Sequence, residues 1–245
     1  MRLIINADDL GSAPQVNAAI FACMARGLVT SATIMANGPA LSECLEQIPA
    51  YPSCSFGIHL NITEFRPLTT HPALEALLDP WGNFCLANYR RARLGPALRE
   101  AIFLEWSAQV RRLRSQGLTI SHLDSHQGVH TDPWLFLVLK RLQRAFGIRK
   151  VRIAPNISLD PRIAYRQNRL WNLALRYFYA TTTTSGFTDF ATFLKALEQI
   201  RRHHRSAELM VHPGHPGFAA ETVTLQTPWT EALPFAVRLI SYREL

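Results

Sequence analysis

Four short stretches of this 245-residue chain place acids and imidazoles directly after apolar runs. The first is Asn6-Ala7-Asp8-Asp9, behind Leu3-Ile4-Ile5. Two adjacent carboxylates at a strand end cannot point the same way, because side chains alternate along an extended chain. One can bind a cation while the other faces a water, or one of them can cap the following helix. The second stretch, Gly57-Ile58-His59-Leu60-Asn61, offers one imidazole, which is either a ligand or a hydrogen-bonded structural histidine. The third runs from His122 to His130 and packs three imidazoles and the carboxylate of Asp124 into nine residues. Its His126 and His130 are four residues apart, a spacing that puts both on one side of a helical turn. Imidazole suits zinc and other borderline cations, and carboxylate suits harder ones. The fourth, Glu208 to His215, contains His212 and His215, which could equally be capping or loop histidines. Jointly the four stretches point to a metal site that none of them establishes alone.

Such residues meet only if the elements behind them share one rim. Residues 3–7 read as a buried strand. Ser12, Pro14 and Gln15 then give the signature of a capped helix that Gly27 ends. Residues 29–36 and 54–60 read as strands, with a helix over 40–48 between them. Residues 61–95 show little periodicity and read as a long loop, which in a compact domain is usually functional or mobile. Leu98, Ile102, Trp106, Val110 and Leu113 mark one face of a helix, and residues 118–124 a strand. A helix follows from Asp132-Pro133 to Gly147, then a short strand at Lys150 to Ile153. Residues 155–188 look irregular, 190–203 helical and 207–211 extended. Strands alternating with helices predict a mainly parallel sheet or barrel, with chemistry at the carboxyl ends of the strands. Asp8-Asp9, His59, Asp124 with His126, and His212 all fall at such ends. No repeat or linker divides the chain, so residues 1–245 read as a single domain.

Composition narrows the field. Hydrophobic residues make up 48% of the chain and charged residues 18%, enough apolar material for a core. No stretch approaches the ~20 apolar residues of a membrane span. The four cysteines share no metal-knuckle spacing, and the N-terminus shows no signal-peptide pattern, so a cytoplasmic chain with reduced thiols is expected. The net charge is +8, and 23 of the 26 basic residues are Arg, scattered along the chain. Scattered arginines between apolar positions read first as solvated helix faces, with no nucleic acid partner implied. Their alternative use is peripheral contact with an anionic membrane or polymer.

The stretches resemble the YdjC-like carbohydrate deacetylases, which include chitooligosaccharide and hopanoid-biosynthesis deacetylases. The matching residues are Asn6 to Gly11 (NADDLG), Val29 to Gly38 (VTSATIMANG), Gly57 to Asn61 (GIHLN), His122 to His130 (HLDSHQGVH) and Met210 to Gly214 (MVHPG). They occur in the family's order and spacing. The resemblance implies an α/β fold, a distorted (β/α) TIM-like barrel related to polysaccharide deacetylases. It implies one divalent metal ion, Mg or Zn, and hydrolysis of the N-acetyl group of an amino sugar in an oligosaccharide or glycolipid. By motif, Asp9, His59 and His126 are the metal ligands, Asp8 the general base and His212 the general acid. Asn61, Asp124, His130 and His215 then support the ligands or touch substrate. Trp81, Phe84, Trp171, Tyr177 and Tyr179 are candidates for stacking on sugar rings.

The chain departs from the family pattern at Gly128, where a further histidine is usual. It also ends at Leu245, where one more helix and strand are expected. The barrel is then incomplete at its C-terminus, or a partner subunit in a homodimer covers the gap. Two other functions compete: a carbohydrate- or glycolipid-binding protein without catalysis, and metal-dependent phosphoester hydrolysis. The latter usually wants two metals and more carboxylates than these stretches supply.

Overall fold

Strands buried on both faces are built from near-continuous apolar runs. The strand β1 (Arg2–Leu10) is one, buried from Leu3 to Leu10. It is followed by α1 (Pro14–Ala25), β2 (Ser31–Ile34), α2 (Leu41–Gln47) and β3 (Ser55–Leu60). Next come α3 (Leu86–Arg91), α4 (Pro96–Ser115), β4 (Leu123–Ser125) and α5 (Phe136–Phe146). The remaining elements are α6 (Tyr165–Tyr177), β5 (Gly186–Asp189), α7 (Phe190–Lys195), α8 (Leu197–His203), β6 (Ser206–Val211), α9 (Ala219–Leu225) and β7 (Arg238–Leu239). The computed structural model describes residues 1–159 and 165–245.

All strand pairings are parallel, in the order β4-β3-β2-β1-β6-β5, with β7 joining β1. The sheet curls into a half-barrel. The extended segment after α5 reaches across the gap between its edges: Val151 bridges Leu123 of β4, and Asn156 donates its backbone N–H to Phe187 of β5 at 3.3 Å. Parallel strands need crossover connections, and helices α1, α2 and α4 supply them. Their apolar faces pack on the outside of the sheet, Ile20 on α1 and Trp106 on α4 both being wholly buried.

Period two in the strands sorts the other face. Ile4, Asn6 and Asp8 of β1 alternate with the outward Leu3, Ile5 and Ala7, and Asn6 reaches Thr33 of β2 and Asp8 through its side-chain amide. The barrel interior is therefore polar. At its lower end Ile4, Ile240 and Tyr242 form a small apolar plug.

Several expectations need correcting. The helix after β1 starts from Ala13 with no side-chain cap, so Ser12 does not cap it. Asn17 instead ties the turn, accepting from the Gly11 N–H at 2.8 Å and donating to the Ala40 carbonyl at 3.0 Å. The strand expected over 118–124 is reduced to Leu123–Ser125. The expected strand at Lys150 to Ile153 amounts to two isolated bridges. Residues 190–203 form two helices broken at Ala196. The stretch 155–188, expected to be irregular, contains α6 and β5; residues 160–164 of it lie outside the described residues. The C-terminal segment adds β7 beneath β2 on the same edge of β1, through Arg238 N–H to Met1 O (2.8 Å) and Ile240 N–H to Leu3 O (2.9 Å).

Candidate active site

At the upper rim the carboxyl ends of β1, β3, β4 and β6 open into a cavity of about 400 Å³. Asp8, Asp9, His59, His126, Gly128, His130, Arg152, His212 and His215 all contribute to its wall. A larger cleft of about 930 Å³ lies between α6 and α8. No carboxylate lines that cleft among the described residues, so the chemistry belongs to the smaller cavity.

Asp9 is the turning point of β1. Its φ of +66° lies in the left-handed region, which a non-glycine residue adopts at a cost of order 1 kcal/mol and mostly at functional sites. That turn breaks the alternation after Asp8, so both neighbouring carboxylates reach the cavity wall. Asp9 Oδ1 lies 3.2 Å from His59 Nε2 and 2.9 Å from His126 Nδ1. One oxygen of Asp9 and one nitrogen of each histidine thus converge within metal-ligand reach of one another. His59 is aimed by its far nitrogen: Nδ1 is 2.7 Å from Asp124 Oδ1, which leaves Nε2 facing Asp9. A carboxylate behind a ligating imidazole is the usual way to fix its tautomer and ring plane. A carboxylate with two imidazoles is a donor set for one divalent cation.

Burial by itself disfavours the His59 cation, but Asp124 and Asp9 overcome it and carry the imidazole up to about 10. His126 is likewise carried up to about 9 against burial, by Asp9 and by Glu64 at 3.0 Å from Nε2. Asp9, between the two imidazoles, is held well below the usual carboxylate range despite its burial. The cluster therefore attracts positive charge strongly.

Asp8 faces the other way. Both its oxygens receive the Arg152 guanidinium, at 2.6 Å each. Arg152 also bonds Asp124 (2.8 Å) and Glu208 (2.8 Å), so one buried cation serves three carboxylates. His212 lies on the wall of the same cavity. Its ring stacks on Phe218 at 4.1 Å, and burial holds it below the usual imidazole value. Its buried Nδ1 has no hydrogen-bond partner among the described residues and lies 3.8 Å from Glu221, whose carboxyl burial pushes up to about 7.

The remaining expected residues fall in different places. Asp124 supports His59. His130 is buried with its Nδ1 on Ser125 Oγ (2.6 Å) and its Nε2 on the Arg152 carbonyl (3.1 Å), so it braces the segment that carries Arg152. Asn61 lies behind the cavity wall. Its side chain accepts from the Thr63 and Glu64 N–H groups and donates to the Glu64 carbonyl, holding the loop that presents Glu64 to His126. His215 sits on the cavity wall and caps a short turn by accepting from the Gly217 N–H. Gly128, at φ +67°, leaves open space in the wall where a side chain would project.

The aromatic expectation fails. Phe84 and Trp171 are buried in the core, and Trp81 and Tyr177 are exposed away from the cavity, as is clear from its lining; Tyr179 also lies outside that lining. Among the described residues, the phenyl rings on the cavity are Phe187 and Phe218. Sequence reasoning missed Arg152 and Glu64, and it named His122 and Glu208 within their stretches without giving either a role. Period two in β6 could have found Glu208: it alternates with Ala207 and Leu209, exactly in phase with His212.

A chain with this half-barrel and rim belongs to the YdjC-like family, whose sequence pattern it matches over residues 2–234. Among its relatives are carbohydrate deacetylases of Halalkalibacterium halodurans (30% identical, covering 88% of this chain and 86% of the relative) and Oceanobacillus iheyensis (33%, 87% and 86%). The fold is shared with a crystal structure from Enterococcus faecalis, described as a cellobiose-phosphate cleavage protein, with TM-score 0.80 and 23% identity over 99% of this chain and 98% of that one.

Proposed function

We propose that this protein is a metal-dependent carbohydrate N-deacetylase that releases acetate from an N-acetylated amino sugar. The observation that carries the reading is the convergence of Asp9, His59 and His126 on one rim, with Asp8 and His212 in the wall of the same cavity. The carbohydrate deacetylases among its relatives give the reaction class. Asp9, His59 and His126 would hold one divalent ion, Mg or Zn, with the two imidazoles favouring zinc. When bound, that ion would polarise the acetyl carbonyl and offset the charge that develops on its oxygen.

The chain's own residues supply the proton transfers. Asp8 accepts a proton from the water that adds to the acetyl carbon. His212 donates a proton to the amine nitrogen as the C–N bond breaks, leaving acetate and the free amino sugar. Burial keeps His212 neutral at rest, so it must gain this proton during turnover; the Glu221 carboxyl beside Nδ1 is placed to help. Phe187 and Phe218 are the surfaces on which a sugar ring can pack.

The reading takes residues 1–245 as one domain, cytoplasmic, with an N-acetylated saccharide or glycolipid as substrate and a homodimer as the assembled form. It includes peripheral contact with an anionic membrane. Support for that contact is α6, which exposes Leu170, Leu173 and Tyr177, with Arg169 and Arg176 on the same helix.

Metal content and acetate release, measured over a panel of N-acetylated saccharides and glycolipids, test the proposal. One metal per chain with acetate release is the expected result. Metal without acetate from any substrate would leave a binding protein and refute the deacetylase reading.

A further inference from the structure

We infer that Tyr242, three residues before Leu245, is a positioning residue for Asp8, acting through Glu208 and Arg152 from the far end of the barrel. The inference rests on the reading of Asp8 as the base. Tyr242 is wholly buried, and its phenol donates to Glu208 Oε2. The other oxygen of Glu208 accepts from Arg152 Nε at 2.8 Å, and the two terminal nitrogens of Arg152 chelate Asp8. A guanidinium is planar, so holding Nε on one side fixes the plane in which the other two nitrogens present themselves. The carboxylate of Asp8 must lie in that plane to keep both bonds.

A second path connects the same two residues. The Tyr242 ring stacks on the His122 imidazole at 3.6 Å and an interplanar angle of 10°. His122 Nε2 is 3.0 Å from Asn6 Oδ1, and the Asn6 amide donates to Asp8 Oδ1 at 2.9 Å. Both paths run through side chains that are at most 3% exposed. The tyrosine is itself fixed from outside the relay, by its N–H to Ser31 Oγ (3.2 Å) and by the capping box of Ser241 and Glu244. The segment that carries Tyr242 thus does more than plug the barrel: it sets the orientation of a carboxylate at the opposite rim.

Tyr242→Phe keeps the ring stack and removes only the phenol. In the metal-loaded full-length protein it should lower kcat about 10-fold, as outer partners of a site commonly do, with KM and metal affinity unchanged. Glu208→Gln should do the same. Because both act through Arg152, the double variant should lose no more than the weaker single variant, a non-additivity that separate structural damage would not give. A readout free of catalysis is the ¹⁵N resonance of Arg152 Nε, assigned with Arg152→Lys, which should shift in both single variants. The resonance separates this inference from the function it rests on: if the wild-type protein releases no acetate, the deacetylase reading fails, and the shift alone decides whether Tyr242 acts on Arg152. An unshifted resonance, an unchanged kcat in an active enzyme, or losses that multiply in the double variant would overturn the inference.

Discussion

Replacing Gly57 with alanine tests the packing of the barrel interior. Gly57 lies in ordinary strand backbone, so its conformation does not require glycine; the space does. A Cβ there would sit 2.6 Å from His122 Cε1, 2.7 Å from Nδ1 and 2.7 Å from the His122 carbonyl oxygen. The ring cannot retreat. Nδ1 is 2.8 Å from Ser121 Oγ, Nε2 is 3.0 Å from Asn6, and Tyr242 covers one face. Overpacking a filled interior costs about 1–3 kcal/mol, and losing the His122–Asn6 bond costs about 1 kcal/mol more. Gly57→Ala should therefore lose about 2–4 kcal/mol. At about 2–4 °C per kcal/mol for a chain of this size, Tm falls by roughly 5–15 °C. Urea unfolding followed by circular dichroism should show a lower midpoint at unchanged m. Gly95→Ala is the control: its nearest atom, the Arg93 carbonyl oxygen, is 3.9 Å away, and the change should cost about 0.5 kcal/mol. If Gly57→Ala unfolds within about 0.5 kcal/mol of wild type, the account of a rigid His122 is wrong.

Asp9→Asn removes the charge that draws His59 and His126 together, and should lower metal affinity at least 10-fold by isothermal titration; unchanged affinity would place the ion elsewhere. Asp8→Asn should keep the metal and reduce kcat by about 10²–10⁴, whereas loss of metal in that variant would make Asp8 a ligand. The metal-free protein should weaken as pH rises from 7 to 8. His59 and His126 are raised in the fold to about 10 and about 9, so their contribution is complete below the unfolded value near 6.5 and is lost as pH climbs through the folded values. Two protons correspond to about 2–3 kcal/mol per pH unit, before Lys140, pushed down to about 8 by burial, begins to oppose. A Tm independent of pH over that range in chelator would contradict the assignment. Phe218→Ala should raise KM about 10-fold and also lower kcat, because the ring packs on His212, while Trp81→Ala and Tyr177→Ala leave both unchanged; the reverse pattern would restore the loop aromatics as the sugar platform.

The sequence by itself determined the parallel α/β architecture and the rim. Apolar runs of strand length, each followed by a helix-period pattern, point to parallel strands even where their bounds shrink, as at Leu123–Ser125, and the polar residues that end them then share one side of the sheet. Asp8, Asp9, His59, Asp124, His126 and His212 were legible for that reason. Only the tertiary structure decided what each of these groups touches. The left-handed turn at Asp9, which brings two adjacent carboxylates to one cavity, cannot be inferred from two letters in a row. Arg152 comes from a segment with almost no strand pairing, so no periodic pattern marks it, yet it pairs with Asp8, Asp124 and Glu208 at once. Tyr242 is 234 positions from Asp8 in sequence, and its approach depends on where β7 closes against β1. Local chain statistics fix which residues are extended or helical; long-range contacts inside a curled sheet fix which buried charges find partners, because an unpaired one would cost several kcal/mol.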